Sequence, residues 1–167
     1  MNISATEPDW SREVPGRLWD PSRRLLRCIR AYQLGGPLRR KWAALRHRFW
    51  SVITGAEIDP RTDIRGGLML PHPNGIVIHP DVTIGPNCMI FQQVTLGTNR
   101  QTSGVPTLGG HIDIGPGARV LGPVTIGDHA VIGANAVVLC DVPAGAVAVG
   151  VPARILPAAP AQKEGRA

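Results

Sequence analysis

Residues 78–97 read IHPDVTIGPNCMIFQQVTLG, and an aliphatic residue recurs in them at every sixth position. The same spacing extends on both sides, with a two-residue slip between Ile76 and Ile78 and an interruption after Leu96. A six-residue period matches neither the 3.6 of an α-helix nor the 2 of an ordinary strand. It is typical of coils built from short flat faces. The aliphatic positions are Ile58, Ile64, Leu70, Ile76, Ile78, Ile84, Ile90, Leu96, Leu108, Ile114, Val120, Ile126, Ile132 and Val138.

Glycine often follows the aliphatic residue of the repeat, as at Gly85, Gly115 and Gly133. We expect glycine at a tight corner, where a Cβ would clash or the backbone needs a positive φ. Each coil can bury its aliphatic row only by stacking on the next coil, so the repeat predicts an array rather than independent elements. Three faces per turn give an all-β fold, a parallel β-helix.

The chain divides into three parts on composition. Residues 1–54 are predicted to be a helical segment whose first ~15 residues are mobile, with helices from Pro21 to about Leu34 and from Pro37 to about Thr54. Residues 55–156 are predicted to form the β-helix. Within it, residues 97–107 are polar and lack the aliphatic row, which indicates an extruded loop. Residues 157–167 are predicted to be a mobile tail.

The basic character of the chain belongs to its first part. Residues 1–54 hold 11 Lys and Arg against 4 Asp and Glu, whereas the remainder holds 7 against 8. Two interpretations of the basic helices stay open. They pack on an end of the β-helix or on a neighbouring subunit, or they rest peripherally on an anionic membrane surface. Nucleic acid is not an expected partner, because the sequence has no nucleic-acid motif and no base-stacking platform.

Cysteine usage and the start of the chain bear on location. The three cysteines form no CxxC pair, and Cys88 and Cys140 fall within the repeat, so we expect buried free thiols and a reducing compartment. The first ten residues do not resemble a secretory signal, and no apolar run approaches a membrane span. We therefore expect a cytoplasmic protein.

His72 is the histidine best placed for chemistry. It stands between Pro71 and Pro73 at the break in the repeat, and Glu57 lies fifteen residues earlier, close to one coil. A carboxylate beside a histidine fixes its tautomer and stabilises the imidazolium, which suits a general base. A purely structural histidine is the alternative. His47, among arginines of the second helix, is expected in solvent. No HxH, HExxH or Cys/His cluster indicates a metal site.

Several segments, in order, resemble the serine O-acetyltransferase family of hexapeptide-repeat enzymes and its short relatives that acetylate sugars and exopolysaccharides. The resemblance implies a left-handed β-helix, acetyl-CoA as co-substrate without a metal, and a homotrimer with the site between subunits. It also implies direct transfer of acetyl to an acceptor hydroxyl. The segments are Ile64–His72, Gly75–Ile78, Gln93–Gly97, Ile132–Leu139 and Gly150–Ile155.

The resemblance also assigns roles to single residues. His72 matches the catalytic base, and Glu57 takes the place of the aspartate that orients it. The neutral side chains nearest the site are candidates for acceptor binding: Asn74, Gln92 and Gln93. The residues that match the acetyl-CoA groove are Gly97, Thr98, Gly115, Pro116, Gly133, Ala134 and Arg154.

The departures from the family concern the acceptor. Pro71 stands where the family has an aspartate, and Gly104-Val105 replace an arginine-histidine pair. Asp20, before Pro21, is the candidate counterpart of an aspartate in the family's helical domain. A zwitterion needs charged partners, so weak turnover of L-serine is expected. The acceptor stays open between L-serine, the family default, and a sugar hydroxyl of a surface polysaccharide. A non-catalytic scaffold and a metal-dependent hydratase are further alternatives.

Overall fold

The computed structural model describes residues 3–156. A short 3-10 helix, Trp10–Glu13, precedes two α-helices, α1 (Pro21–Gln33) and α2 (Pro37–Thr54). Helix α1 begins where the sequence predicts, because the Asp20 side chain accepts a hydrogen bond from the Arg23 N–H and proline occupies the first turn. The predicted tail, residues 157–167, lies outside the described residues.

Between the helices and residue 156, where the description of the chain ends, there are fourteen strands of two or three residues. They are β1 (Glu57–Ile58), β2 (Asp63–Ile64), β3 (Val77–Ile78), β4 (Thr83–Ile84), β5 (Met89–Ile90), β6 (Thr95–Gly97), β7 (Thr107–Leu108), β8 (Asp113–Ile114), β9 (Arg119–Leu121), β10 (Thr125–Ile126), β11 (Val131–Ile132), β12 (Val137–Val138), β13 (Val147–Val149) and β14 (Arg154–Leu156). The predicted loop is therefore slightly shorter than 97–107, because Gly97 ends β6 and Thr107 begins β7.

The strands form three sheets, which are the three faces of the coil. The first face is ordered β1-β3-β6-β9-β12, the second β2-β4-β7-β10, and the third β5-β8-β11-β13-β14. All pairs are parallel except β13 with β14, which closes the last coil with an antiparallel strand. The predicted parallel β-helix is confirmed.

The core is the stack of aliphatic rows that the period predicts. Ile84, Ile90 and Ile114 are completely buried, and so are the small residues at the fifth position, such as Val82 and Ala118. Full burial of one such aliphatic side chain stabilises the fold by about 1.5–3 kcal/mol relative to exposure. The stability of the coil therefore comes from stacking, since two-residue strands contribute little on their own.

Close approach between coils explains the glycines that follow the aliphatic residues. A Cβ on Gly115 would lie 2.7 Å from the Ala134 nitrogen, and one on Gly127 would lie 2.4 Å from the Ala144 nitrogen. Neither glycine has a positive φ. Of the two reasons expected for glycine at these positions, the steric one holds.

Residues 3–15, within the segment that the sequence predicts to be mobile, make specific hydrogen bonds to the β-helix. Asn87, buried at a corner of the coil, accepts a hydrogen bond from the Asp9 N–H at 2.8 Å and donates to the carbonyls of Ser4 and Glu7. Glu13 and Arg30 form a buried ion pair at 2.8 Å, and the Leu68 N–H donates to the same carboxylate. These contacts cannot be predicted from the polar composition of the segment, because each one depends on a partner distant in sequence.

Two further expectations are wrong. His47 is buried, and its Nε2 lies 2.8 Å from the Ile58 carbonyl oxygen, because it shares the inward face of α2 with Ala43 and Trp50. Cys140 is exposed, whereas Cys88 is buried and desolvation raises the pKa of its thiol to about 11. Within residues 3–156, no helix combines the length and apolarity that crossing a membrane requires.

Candidate functional site

A cavity of about 650 Å³ lies between the N-terminal segment and the corner of the coil that carries His72. We call it the His72 cavity. Its walls combine the break in the repeat, the loop before α1 and the end of α2. The lining residues are Arg12, Gly16, Arg17, Trp19, Asp20, Pro21, Ser22, Arg23, Ile53, Thr54, Met69, Leu70, Pro71, His72, Pro73 and Asn74.

The backbone on either side of His72 is fixed by the coil. Met69 bridges to Met89 on the third face, and the Asn74 carbonyl accepts a hydrogen bond from the Gln93 N–H at 2.9 Å. Pro71 and Pro73 restrict the intervening turn. The imidazole of His72 is exposed, and it makes no hydrogen bond to any residue within 3–156. The ring nitrogens of His72 are thus unoccupied at the wall of a cavity.

Charged side chains from the N-terminal segment line the same cavity. Asp20 pairs with Arg23 at 3.1 Å, and the Arg23 Nε donates to the Arg12 carbonyl. Partial burial raises the pKa of Asp20, but hydrogen bonds from Arg23 and Gly16 together lower it below its usual value. Asp20 is therefore an anion at neutral pH. Arg17 is exposed at the rim. The cavity beside His72 therefore contains charged groups of both signs, although Pro71 and Gly104-Val105 supply none.

Most of the predicted site residues lie along one edge of the coil, where the third face turns into the first. We call this the His72 edge, residues 71–75, 91–93, 115–117 and 133–135. Backbone hydrogen bonds link its levels, from the Gly117 N–H to the Gln92 carbonyl and from the Asn135 N–H to the Pro116 carbonyl. The predicted residues on this edge are His72, Asn74, Gln92, Gln93, Gly115, Pro116, Gly133 and Ala134.

Gln92 adds an unused acceptor to the His72 edge. Its Oε1 is buried and has no hydrogen-bond partner among residues 3–156. A buried polar atom without a partner costs about 1–3 kcal/mol.

Gly97 and Thr98 lie on a different edge, at the root of loop 98–106, so one subunit does not bring them to the His72 edge. A Cβ on Gly97 would have no protein atom within 4 Å, and the φ of Gly97 is not positive. Neither packing nor backbone geometry within the chain requires glycine there. Arg154 lies in β14, at the last coil, beside Val149.

Glu57 lies near His72 but does not bond to it. The register places Glu57 opposite Val77, and the Gly75 N–H bonds to the Gly55 carbonyl, so Glu57 starts the first face just after the corner. No hydrogen bond or ion pair joins Glu57 to His72 among the described residues. The two-residue slip lengthens this coil, so the fifteen residues from Glu57 to His72 fall short of a full turn.

The arginines and Trp19 that line the His72 cavity are not among the site residues predicted from the sequence. Their only sequence signal is the basic N-terminal segment, and its path across the coil is set by Asn87 and Glu13. In the part of the chain that the structure describes, no group of three or more His, Cys, Asp and Glu side chains is placed to hold a metal ion.

The three-faced coil with a six-residue period defines a hexapeptide-repeat protein. Residues 114–140 match the family described as bacterial transferase hexapeptide (six repeats). The chain is also 44% identical over 129 residues to a serine acetyltransferase of Synechocystis sp., an alignment that covers 76% of this chain and 51% of that relative.

Solved structures agree with this assignment. The serine acetyltransferase of Brucella abortus in complex with coenzyme A superposes with a TM-score of 0.74 at 31% identity, over 84% of this chain and 58% of that one. Soybean serine acetyltransferase complexed with serine superposes with a TM-score of 0.69 at 36% identity, over 79% and 56%. The chain spans about half the length of the curated relatives it matches. The resemblance of the chain to the hexapeptide-repeat transferases, and among them to the serine acetyltransferases, is confirmed.

Proposed function

We propose that this protein transfers the acetyl group of acetyl-CoA to the hydroxyl of L-serine. The observation that carries the proposal is the His72 cavity, in which an unpaired imidazole shares walls with an anion, Asp20, and with arginines. The relatives named above, one solved with coenzyme A and one with serine, support both substrates.

His72 acts as the general base in the proposed reaction. It accepts the proton of the acceptor hydroxyl while the hydroxyl oxygen forms a bond to the thioester carbonyl carbon. The carbon–sulfur bond breaks, and the proton passes from the imidazolium to the departing thiolate. No acyl-enzyme forms. A backbone N–H near loop 98–106 stabilises the oxyanion. Glu57, one corner away, is proposed to turn toward His72 and orient it.

Charged groups of the cavity supply the recognition of a zwitterion. Asp20 would accept from the ammonium, and Arg17 would donate to the carboxylate. Asn74 of the same cavity would add neutral hydrogen bonds. Buried charges need such partners. In this proposal the N-terminal segment provides the charged side chains that Pro71 and Gly104-Val105 lack.

The proposal includes a homotrimer with acetyl-CoA between subunits. The supporting observation is that Gly97 and Thr98 occupy one edge of the coil, while Gly115 and Gly133 occupy the His72 edge. A groove between two subunits would bring such edges together. At Gly97 the absence of a Cβ leaves open space beside the backbone, which fits an extended ligand. Arg154 would contact its phosphates.

A cytoplasmic location belongs to the same proposal. The free thiols Cys28, Cys88 and Cys140 support a reducing compartment.

The test is acetyl transfer, followed as CoA thiol release, against a panel of acceptors. L-Serine is expected to saturate at or below the millimolar range typical of enzymes. Serinamide, which lacks the carboxylate, and 3-hydroxypropionate, which lacks the ammonium, should be poor substrates. Faster turnover of sugar nucleotides than of L-serine would instead support a sugar hydroxyl of a surface polysaccharide as the acceptor. If no acceptor is acetylated and CoA does not bind, the protein would be a non-catalytic scaffold.

A further inference from the structure

The second helix carries a continuous apolar stripe that faces away from the protein. Its residues are Leu38, Trp42, Leu45, Phe49 and Val52, whose exposed fractions lie between 56% and 82%. They recur at helical spacing and form one face. The opposite face holds the buried residues Ala43, His47, Trp50 and Thr54, which pack on α1 and the β-helix. Five large apolar side chains on one exposed helix face exceed the scatter of single apolar residues found on ordinary surfaces.

Cations border this stripe on both sides. At 100° per residue, Arg39 and Arg46 lie along one margin, and Lys41 and Arg48 lie along the other. All four are exposed. Long basic side chains can cover apolar surface with their methylenes while the charged ends reach polar headgroups. Residues 21–54 hold nine Arg and Lys and no Asp or Glu.

The charges decide what covers the stripe. If a second copy of α2 packed on it, the margins of Arg and Lys would face one another, and neither α1 nor α2 offers a carboxylate to separate them. An anionic lipid surface complements both features at once, since it accepts the apolar stripe into the acyl boundary and attracts the cations. We propose that α2 lies in the interface of an anionic membrane, with the stripe facing the lipid.

The proposed orientation has a consequence for the His72 cavity. Ile53, half exposed at the edge of the stripe, also lines that cavity. Trp50 contacts both Phe49 of the stripe and Trp19 of the cavity wall, with ring centroids 5.1 Å and 5.8 Å apart. A membrane-bound α2 would therefore hold the cavity beside the lipid surface. This placement does not depend on which acceptor the enzyme uses.

Sedimentation of the full chain with vesicles tests the proposal. The wild type should bind vesicles of phosphatidylcholine mixed with phosphatidylglycerol, and should bind pure phosphatidylcholine at least about tenfold more weakly. Trp42→Ser with Leu45→Ser should weaken binding by more than about tenfold, because two lipid-facing side chains are lost. Arg39→Gln with Arg46→Gln should weaken it by roughly 30-fold, at about 1 kcal/mol per cation.

Matched controls lie on the β-helix. Leu139→Ser removes an apolar side chain of comparable exposure, and Arg61→Gln removes an exposed cation. Both should bind vesicles within about twofold of wild type. The helix variants should keep the wild-type melting temperature, because the altered side chains are exposed.

Three outcomes would overturn the proposal. They are no vesicle binding by the wild type, equal binding to neutral and anionic vesicles, and equal losses in the helix and control variants. Light scattering gives a further check. A mass that falls in Trp42→Ser with Leu45→Ser, without any vesicle, would show that a second copy covers the stripe instead.

Discussion

Asp20 and His72 are far apart in sequence but line the same cavity of about 650 Å³. Asp20 caps the start of α1, and His72 stands at the break in the hexapeptide repeat. The cavity therefore exists only because the N-terminal segment crosses the corner of the coil. Acceptor recognition and proton transfer are assigned to different parts of the chain, and each can be tested alone.

The substitution Asp20→Asn should weaken the binding of L-serine without disturbing helix α1. Asparagine caps a helix about as well as aspartate, but it removes the charge that would meet the ammonium. A hydrogen bond to a charged group is worth about 1.5–3 kcal/mol, so the KM for L-serine should rise about 10- to 100-fold. The KM for acetyl-CoA should not change. Asp59→Asn, outside the cavity, is the control. An unaltered KM for L-serine in Asp20→Asn would remove Asp20 from acceptor binding.

Gly97→Ala tests the proposed acetyl-CoA groove. A methyl group there meets no protein atom within 4 Å, so the melting temperature should stay at the wild-type value. If acetyl-CoA approaches the bare backbone, the methyl group should raise its KM several-fold and leave the KM for L-serine unchanged. Gly36→Ala is a matched control, because a Cβ on Gly36 also meets nothing within 4 Å. Equal acetyl-CoA kinetics in both variants would place the groove elsewhere.

Glu13→Ala tests the anchoring of the N-terminal segment. The carboxylate pairs with Arg30, and the two side chains are 6% and 14% exposed. Removing one partner of a buried pair leaves an uncompensated charge and costs about 3–5 kcal/mol. Urea unfolding should show this loss. Asp63→Ala breaks an exposed pair with Arg65 and should change the free energy of unfolding by less than about 1 kcal/mol. Similar losses in the two variants would argue against the buried contact.

His47 should make stability depend on pH. Desolvation lowers the pKa of His47 below 6.5, although the bond to Ile58 and the charge of Asp59 partly oppose the shift. The unfolded chain then binds a proton at a higher pH than the folded chain. Stability from this group is complete above about pH 6.5 and is lost as the pH falls toward the folded pKa.

The measurement is the urea midpoint of wild type and His47→Gln across this range. The variant should show a shallower fall on the acid side. Parallel curves would mean that His47 is not buried in its neutral form.

The sequence repeat predicts the coil because the packing of stacked coils imposes the six-residue period. Every sixth side chain must point inward for the coils to stack. The position of His72 follows as well, since a break in the period marks the place where the backbone leaves the coil. Asp20 and Arg17 could not be placed in this way. The path of the N-terminal segment depends on hydrogen bonds to Asn87 and on burial of Glu13, which no local pattern encodes.

The burial of His47 was open to prediction but was missed. On a helical projection it lies opposite the stripe that begins at Leu38, beside the small residue Ala43. The neighbouring arginines lie on other faces of the helix and do not determine the exposure of His47. The pairing of Glu57 with His72 stays a prediction, because the slip before Ile78 places Glu57 opposite Val77, five residues beyond His72.

The central claim is that His72 is the general base for acetyl transfer. The most direct measurement is the turnover of L-serine, followed as CoA release, in His72→Ala, with His129→Asn as the control. His129 is exposed at the corner between the second and third faces, outside the cavity, and asparagine tolerates its positive φ. We predict that His72→Ala lowers turnover by about 10²- to 10⁴-fold with CoA binding and melting temperature unchanged, and that His129→Asn stays near wild type. Turnover of His72→Ala within a few-fold of wild type would contradict it.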